Sequence, residues 1–528
     1  MTAAATAHRP GRHTARRWQA AAGLLLLLLG WEYAGRALSG AFILAAPSEV
    51  LAWTWQNAGL MGRAMGETLG NAVLGFVYGN AAAVLLASVA LLWPRTEALI
   101  GGLALLVFCL PLVATGPILR VLMGPGDGPQ IALAALAVYY TTLVPLLVGL
   151  RAAPSSWFDL VRSYGRGRGA ELVHVRAMAA LPYLFAGLQI AAPAAILGAM
   201  VGEFTGAERG LGVLTIRAMR ALDVPATWAL ASVSAAVAIL AYAGVGWLGR
   251  RLSTAPPPVL LAPPAVAGRR GGGALVQGLG VAVLALLLWW GAMEAFGLNR
   301  FFAKRPGDVW AALVTAPDAA VTRATLAVAL RETAAYVLPG YLAGLAMGLG
   351  LAVALVLLPA LAAVAMPVAV ALRSVPIVTT APLFVMLLGR GAVGTVVLVA
   401  VMVFFPTFVA CAQGLSRAPG QANDLFDSYA AGRLSRLIHL RLPAMLPAFF
   451  AAARMSVPAA VLAVTVVEWL ATGRGMGSLM AMSASLSDYD MLWSTVVVVS
   501  VLSAACYLAV GGVERRVLAV YAPEQGAR

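Results

Sequence analysis

Long apolar runs, each closed by a short charged or Pro/Gly-rich segment, follow one another along most of the chain. A helix needs about 20 apolar residues to cross the ~30 Å hydrocarbon layer, so the runs predict spanning helices at roughly 19–36, 67–92, 98–123, 130–150, 182–204 and 226–248. The period-two alternation of barrel strands is not visible. Pro47-Ser48 opens a shorter amphipathic stretch at 45–55, which predicts an interfacial helix. Pro111 and Pro117 fall inside the third run and Pro193 inside the fifth. An interior proline removes a backbone hydrogen bond and kinks a helix, and in a membrane the freed carbonyl must find a protein partner or line a cavity. GPGDGP at 124–129 predicts a tight turn.

The pattern then starts again. Between the fourth and fifth runs lies a charged, glycine-rich island, Asp159–Pro182, DLVRSYGRGRGAELVHVRAMAALP; Asp424–Pro447 reads DLFDSYAAGRLSRLIHLRLPAMLP. The shift is 265 positions, from 159 to 424 and from 182 to 447. At the same shift Glu67 matches Glu332, Pro111 matches Pro376, Pro193 matches Pro458 and Trp228 matches Trp493, with no insertion. This is a duplication. The expected layout is a basic tail at 1–18, a first unit at 19–252, a Pro/Gly-rich linker at 253–273, a second unit at 274–520 and a tail at 521–528. Six helices per unit make the repeat parallel, so the fold class is an all-α polytopic membrane protein with about twelve spans.

Composition agrees. Of 528 residues, 61% are hydrophobic and 11% charged, against roughly 25% charged in a soluble domain. The net charge of +15 is spread over the ends of apolar runs and forms no single patch, which argues for membrane orientation and against nucleic acid. The tail, the linker arginines, Arg250-Arg251 and Arg515-Arg516 fall on one side, which the positive-inside rule makes cytoplasmic, with both termini and both islands. Arg300, Arg323 and Arg331 on the other side dilute that asymmetry. The N-terminal run resembles a signal peptide, but it has a counterpart, VAVLALLLWWG, in the second half and is expected to be retained. Cys109, Cys411 and Cys506 lie singly, and four histidines form no metal-ligand spacing. No metal, bound cofactor or catalytic residue is expected.

The islands are the first candidate site. Pro182 and Pro447 are expected to begin the fifth helix of each unit, preceded by a short helix beneath the membrane. Gly165, Gly167 and Gly169 each cost a helix roughly 1 kcal/mol relative to Ala, so the first island is expected to be the more mobile. His174 and His439 occupy matched positions, as packing or capping residues or as pH sensors. Glu203 and Glu468 lie 21 residues beyond the prolines, about 32 Å along a helix, beside Gly210 and Gly212 and beside Gly475 and Gly477. They are candidates for loop anchors or for an external gate.

The island resembles the coupling loop of bacterial ABC importer permeases: an EAA motif, three residues, Gly, nine residues and Ile-x-Leu-Pro. Asp159 and Asp424 stand where glutamate is usual, Gly165 fills the glycine position where the second copy has Ala430, and Pro443 fills the first proline position where the first copy has Met178. Pro-Ser-Glu-Val near 47, Ser-Tyr-Gly in the island, and GLGVL and GMGSL after an acid are similar to the nitrate, sulfonate, taurine and bicarbonate permeases. The resemblance implies two six-helix permeases of the type I importer fold, fused in one chain. It assigns one ATPase-coupling loop to Asp159, Ser163, Tyr164, Gly165, His174, Arg176 and Pro182. The other takes Asp424, Ser428, Tyr429, Gly432, His439, Arg441, Pro443 and Pro447. It also implies two ABC ATPase subunits that hydrolyse ATP, an external or periplasmic substrate-binding protein, the bacterial inner membrane and an oxyanion substrate. Fused permeases for iron or thiamine leave the substrate open. Lys304 is the only lysine and lies outside any Gly-Lys-Ser/Thr, so the chain carries no P-loop and cannot be its own motor. A twelve-helix secondary transporter is the rival class, but its charged signature belongs between helices two and three, where this chain has LLWPRTEAL. A membrane-embedded enzyme is weaker still, with no His/Asp/Glu cluster in a span.

Overall fold

The computed structural model describes residues 25–26, 28–41, 44–252, 272–358, 377–389, 391–416 and 420–521. The first repeat comprises α1 (Pro47–Gln56), α2 (Ala58–Leu92), α3 (Glu97–Phe108), α4 (Leu112–Met123), α5 (Gly128–Gly149), α6 (Ser155–Ser163), α7 (Arg168–Phe204), α8 (Leu211–Arg220) and α9 (Val224–Leu252). The second comprises α10 (Gly272–Ala295), α11 (Pro306–Trp310), α12 (Ala319–Leu357), α13 (Ile377–Leu388), α14 (Ala392–Ser416), α15 (Gly420–Ser428), α16 (Arg433–Thr472), α17 (Gly475–Ser485) and α18 (Tyr489–Tyr521). Among the described residues nine helices are long and apolar enough to cross a membrane, ten with α3 and α4 counted as one bent span. Of the twelve expected spans, the one at 19–36 and the counterpart of the bent pair fall partly outside the described residues, as do most of the linker and both tails.

Each repeat is a chain of packed neighbours, α2 on α5 on α7 on α9, and α12 on α14 on α16 on α18. Small residues set these contacts. A Cβ on Gly79 would press into the backbone of Ala135 on α5, and one on Gly344 into that of Ala400 on α14. Gly75 and Gly79, like Gly340 and Gly344, are four apart, the spacing that lets membrane helices approach closely. The repeats also share a core. Val113, Leu133 and Val201 pack with Ala381, Leu398, Val466 and Val467, and Ala114 and Ile118 pack with Met476 and Met480.

Three expectations are corrected. The third helix is not one rod: α3 and α4 meet at 93°. Pro111 stands in extended backbone as the cap of α4, and its missing N–H suits it to the break. Pro182 and Pro447 do not begin the fifth helices. Those begin at Arg168 and Arg433 and run through the prolines to Phe204 and Thr472. π-helical stretches at Glu171–Ala177 and Leu437–Arg441 precede the prolines; wider i→i+5 turns of this kind accompany kinks in a continuous helix. The glycine-rich segments after Glu203 and Glu468 are only in part loops: short non-helical links at 205–210 and 473–474 lead at once into α8, capped by Gly210, and into α17, which begins at Gly475. The interfacial helix expected at 45–55 is present as α1.

Candidate functional site

Each island folds as the same two-piece element: a nine-residue helix, α6 or α15, a tight turn, then the exposed first turns of α7 or α16. The turn bonds recur in register. Ser163 Oγ donates to Leu160 O at 2.7 Å, and Ser428 Oγ to Leu425 O at 2.7 Å. Gly165 N donates to Arg162 O at 2.8 Å, and Ala430 N to Asp427 O at 3.0 Å. Both turns need a left-handed residue, Gly165 at φ +68° and Ala430 at φ +47°. Alanine adopts that conformation at a cost of about 1 kcal/mol that glycine avoids, so the missing motif glycine alters the strain and leaves the shape. Gly432 caps α16 in extended backbone.

Side chains of the islands face water. Tyr164 is 78% and Tyr429 79% exposed, and Leu160 and Leu425 are exposed beside them. Asp159 and Asp424 are exposed as well. His174 Nδ1 lies 3.2 Å from Ala170 O, and His439 Nδ1 lies 3.1 Å from Ser435 O, so both rings sit on the exposed face of their own helix. Arg176 ties the island back to the bundle: its Nη1 donates to Leu150 O at 3.3 Å and its guanidinium lies 5.0 Å above the Phe158 ring. Arg441, Pro443, Pro182 and Pro447 are half-buried along the continuous helices.

At the other end, Glu203 and Glu468 close a pair of matching buried networks. Thr68 Oγ1 donates to Glu203 Oε1 at 2.6 Å, Gly212 N donates to Glu203 Oε2 at 2.6 Å, and Leu211 N donates to Thr68 Oγ1 at 2.8 Å. In the second repeat Thr333 donates to Glu468 Oε1 at 2.8 Å, Gly477 N to Glu468 Oε2 at 2.8 Å, and Met476 N to Thr333 Oγ1 at 2.9 Å. The carboxylates are 2% and 0% exposed. They satisfy the free N–H groups at the N-termini of α8 and α17, where the helix dipole favours negative charge. Gly210 and Gly475 have φ of +126° and +86°, and a Cβ on either would strike the carboxylate. The geometry is that of an anchor for α8 and α17. Between the two anchors a cavity of about 800 Å³ opens, lined by both repeats.

Residues 79–254 and again 344–519 match the family described as "Binding-protein-dependent transport system inner membrane component", together more than half of the chain. The chain belongs to this family. The two matches begin and end in the register of the repeat, so the permease is two family units fused in one chain. It is 31% identical to the riboflavin transport system permease protein RibX of Chloroflexus aurantiacus, across 43% of this chain and 87% of the relative. It is 28% identical to the formylaminopyrimidine transport permease protein ThiX of Halalkalibacterium halodurans, across 42% and 89%. It is 25% identical to the putative aliphatic sulfonates transport permease protein SsuC of Bacillus subtilis, across 41% and 79%. Each relative accounts for less than half of this permease, as single units should. No solved structure gives a significant match.

Sequence reasoning missed two parts of the permease. Thr68 and Thr333 had no signal of their own, although both follow a matched acid, Glu67 and Glu332, at the repeat shift. The cavity residues Arg120 and Arg220 read only as charges at helix ends.

Proposed function

We propose that this chain supplies two fused transmembrane units of an ATP-driven importer in a bacterial inner membrane, with both termini and both islands on the cytoplasmic side. Each island takes one ATPase subunit, and the motion of the two motors opens and closes the path between the repeats. A binding protein outside delivers the solute to the end where Glu203 and Glu468 hold α8 and α17. The observation that carries this reading is the pair of islands. Two copies of one exposed helix–turn element, at the same end of the bundle, offer exposed Tyr and Leu side chains amid charge. Exposed apolar residues rimmed by charge are the mark of a docking surface.

The substrate is a small organic solute. An organic body is common to the solutes that the relatives are named for, riboflavin, formylaminopyrimidine and aliphatic sulfonates, of which the sulfonates alone are the oxyanions expected from the sequence. The test is to co-express the full chain with the ABC ATPase from its own gene neighbourhood and measure co-purification and ATP hydrolysis. Capture of two ATPase subunits per chain, lost when Leu160, Tyr164, Leu425 and Tyr429 are all replaced by Ala, is expected. Capture that survives those four replacements overturns the assignment.

A further inference from the structure

The cavity between the repeats straddles their symmetry but is not itself symmetric. Most of its lining positions come in pairs at the 265-residue shift: Phe204 with Trp469, Arg120 with Val385, and Arg220 with Ser485. The same holds for Ile216 with Ala481 and Met219 with Ala484. Wherever the pair differs in charge, the first repeat supplies the cation. Of the six matched pairs, Thr205 with Leu470 included, the second repeat supplies the smaller residue in four, and Trp469 and Leu470 are the larger members of the other two. One wall therefore carries two guanidinium groups, and the free space lies against the other.

Among the described residues no Asp or Glu lines the cavity, and neither Arg120 nor Arg220 has an ion pair. Arg120 makes one long hydrogen bond, Nη1 to Gly126 O at 3.4 Å, so most of its five N–H donors are free for a ligand. Asp223, the acid nearest Arg220 in sequence, is engaged in capping α9, accepting from Ala226 N at 3.0 Å. Both arginines lie in the last turn of a helix, α4 and α8, where a cation complements the helix dipole. That accounts for a basic residue at such an end. It does not account for the second repeat's Ser485, which ends α17 with no basic residue in its last turn, nor for two guanidiniums sharing one cavity with no acid. Guanidinium donors bind carboxylate, sulfonate and phosphate groups through paired hydrogen bonds, and Phe204 and Trp469 offer apolar surface for the rest of a ligand.

We propose that this cavity is a one-sided anion site: it holds a small organic anion with the acidic group on Arg120 and Arg220 of the first repeat. The apolar body lies against Trp469 and the small residues Ala481 and Ala484 of the second. The duplication makes this possible, because a symmetric pair of separate units would place four arginines around the same space. The inference rests on the permease reading and sharpens it to solutes with one anionic pole.

The experiment uses the full chain in lipid nanodiscs, titrated by calorimetry with benzenesulfonate and with benzyl alcohol as the neutral control, each corrected with empty nanodiscs. Saturable 1:1 binding of benzenesulfonate, at least about tenfold tighter than benzyl alcohol, is expected. R120Q/R220Q should lose about tenfold or more, R220Q alone should lose part of that, and R220K should keep most of it. Arg220 is exposed, so R220Q and R220K serve as the arms least exposed to misfolding, with elution profile and melting temperature as controls. Absence of saturable binding, equal affinity for the neutral probe, or unchanged affinity in R120Q/R220Q overturns the site. ATPase capture by the same variants separates this from the parent reading: the islands lie at the opposite end, so capture should persist in R120Q/R220Q. Loss of anion binding with capture intact then reports on the cavity alone, and failure of capture by the wild type with anion binding intact sinks only the assignment of the islands as motor-docking sites.

Discussion

Arg162 and Glu171 join the two pieces of the first island through an ion pair of 2.7 Å, Arg162 Nε to Glu171 Oε1. At the positions 265 residues later the signs are exchanged: Asp427 on α15 pairs with Arg436 on α16. The bond and charge of Glu171 push the Arg162 guanidinium further up from its already high range. Inversion of both members across the duplication is what a brace requires. A single change would face like charge with like charge, and only the double change keeps the two helices together.

The brace predicts the outcome of a charge-exchange cycle. Arg162→Asp alone sets two carboxylates across the turn. It should speed amide exchange across residues 155–171 by no more than a few-fold, since an exposed, solvent-screened pair contributes little. Adding Glu171→Arg gives the first island the polarity of the second and should return exchange to the wild-type rate. Hydrogen-exchange mass spectrometry in nanodiscs reads both. Equal exchange in the single and double variants would show that the pair braces nothing.

The anchors predict a ranked stability series. Glu203→Ala removes the acceptor of Gly212 N–H and one partner of the Thr68 hydroxyl, and the orphaned buried Gly212 donor costs about 1–3 kcal/mol. Glu203→Gln should cost less. Its amide oxygen can keep Gly212 N–H, its NH2 can donate to Thr68 Oγ1, and the hydroxyl can turn to Ala64 O, already 3.1 Å away. The same order is expected at Glu468. Thermal unfolding in detergent checks it, and a Gln variant less stable than the Ala variant would contradict it.

Much of this architecture is legible in the chain, and the rest is hidden for physical reasons. The 265-residue register needs no structure, because matched Glu, Pro, Gly and Trp punctuate runs that are otherwise interchangeable Ala, Leu and Val. The acid–glycine anchor was half visible: Glu203 and Gly212 are nine residues apart, but Thr68 joins them from 135 positions away, and no local pattern reports such a partner. Pro182 misled because proline is a strong sign of a helix start, and only the π-helical turns preceding it show how one continuous helix absorbs it. The break at Pro111 was legible as a kink but not as 93°, since the angle is set by packing against both repeats. Arg120 and Arg220 were unreadable as a pair, being 100 residues apart in sequence and joined only across the cavity.

Gly475→Ala should be among the most damaging single-methyl changes in the chain. At φ +86° an L side chain is strained, and the added Cβ would collide with the Glu468 carboxylate, a buried group fixed by Thr333 and Gly477. Neither cost can be relieved without detaching α17, so a loss of at least about 2 kcal/mol is expected. Gly432→Ala, in open space with ordinary negative φ, should be tolerated within about 0.5 kcal/mol. Melting temperatures of the two variants, measured in the same detergent, make the comparison, and similar losses would refute it.

If each island holds one motor, the islands fail independently. Tyr164→Ala strips the most exposed aromatic from the first and Tyr429→Ala from the second, and neither side chain supports the permease's own core at 78% and 79% exposure. A buried interface tyrosine contributes about 2 kcal/mol or more when it is a hot spot, so each variant should lose affinity at one docking site and keep it at the other. Mass photometry of the complex at limiting ATPase concentration should then show one bound subunit where the wild type shows two, and none in the double variant. The turn strain at Ala430 is internal to the second island and leaves its surface like that of the first, so the two single variants should behave alike. A variant that loses both subunits at once would mean that the motors bind as a preformed pair, and a variant that loses neither would mean that the tyrosines lie outside the contact.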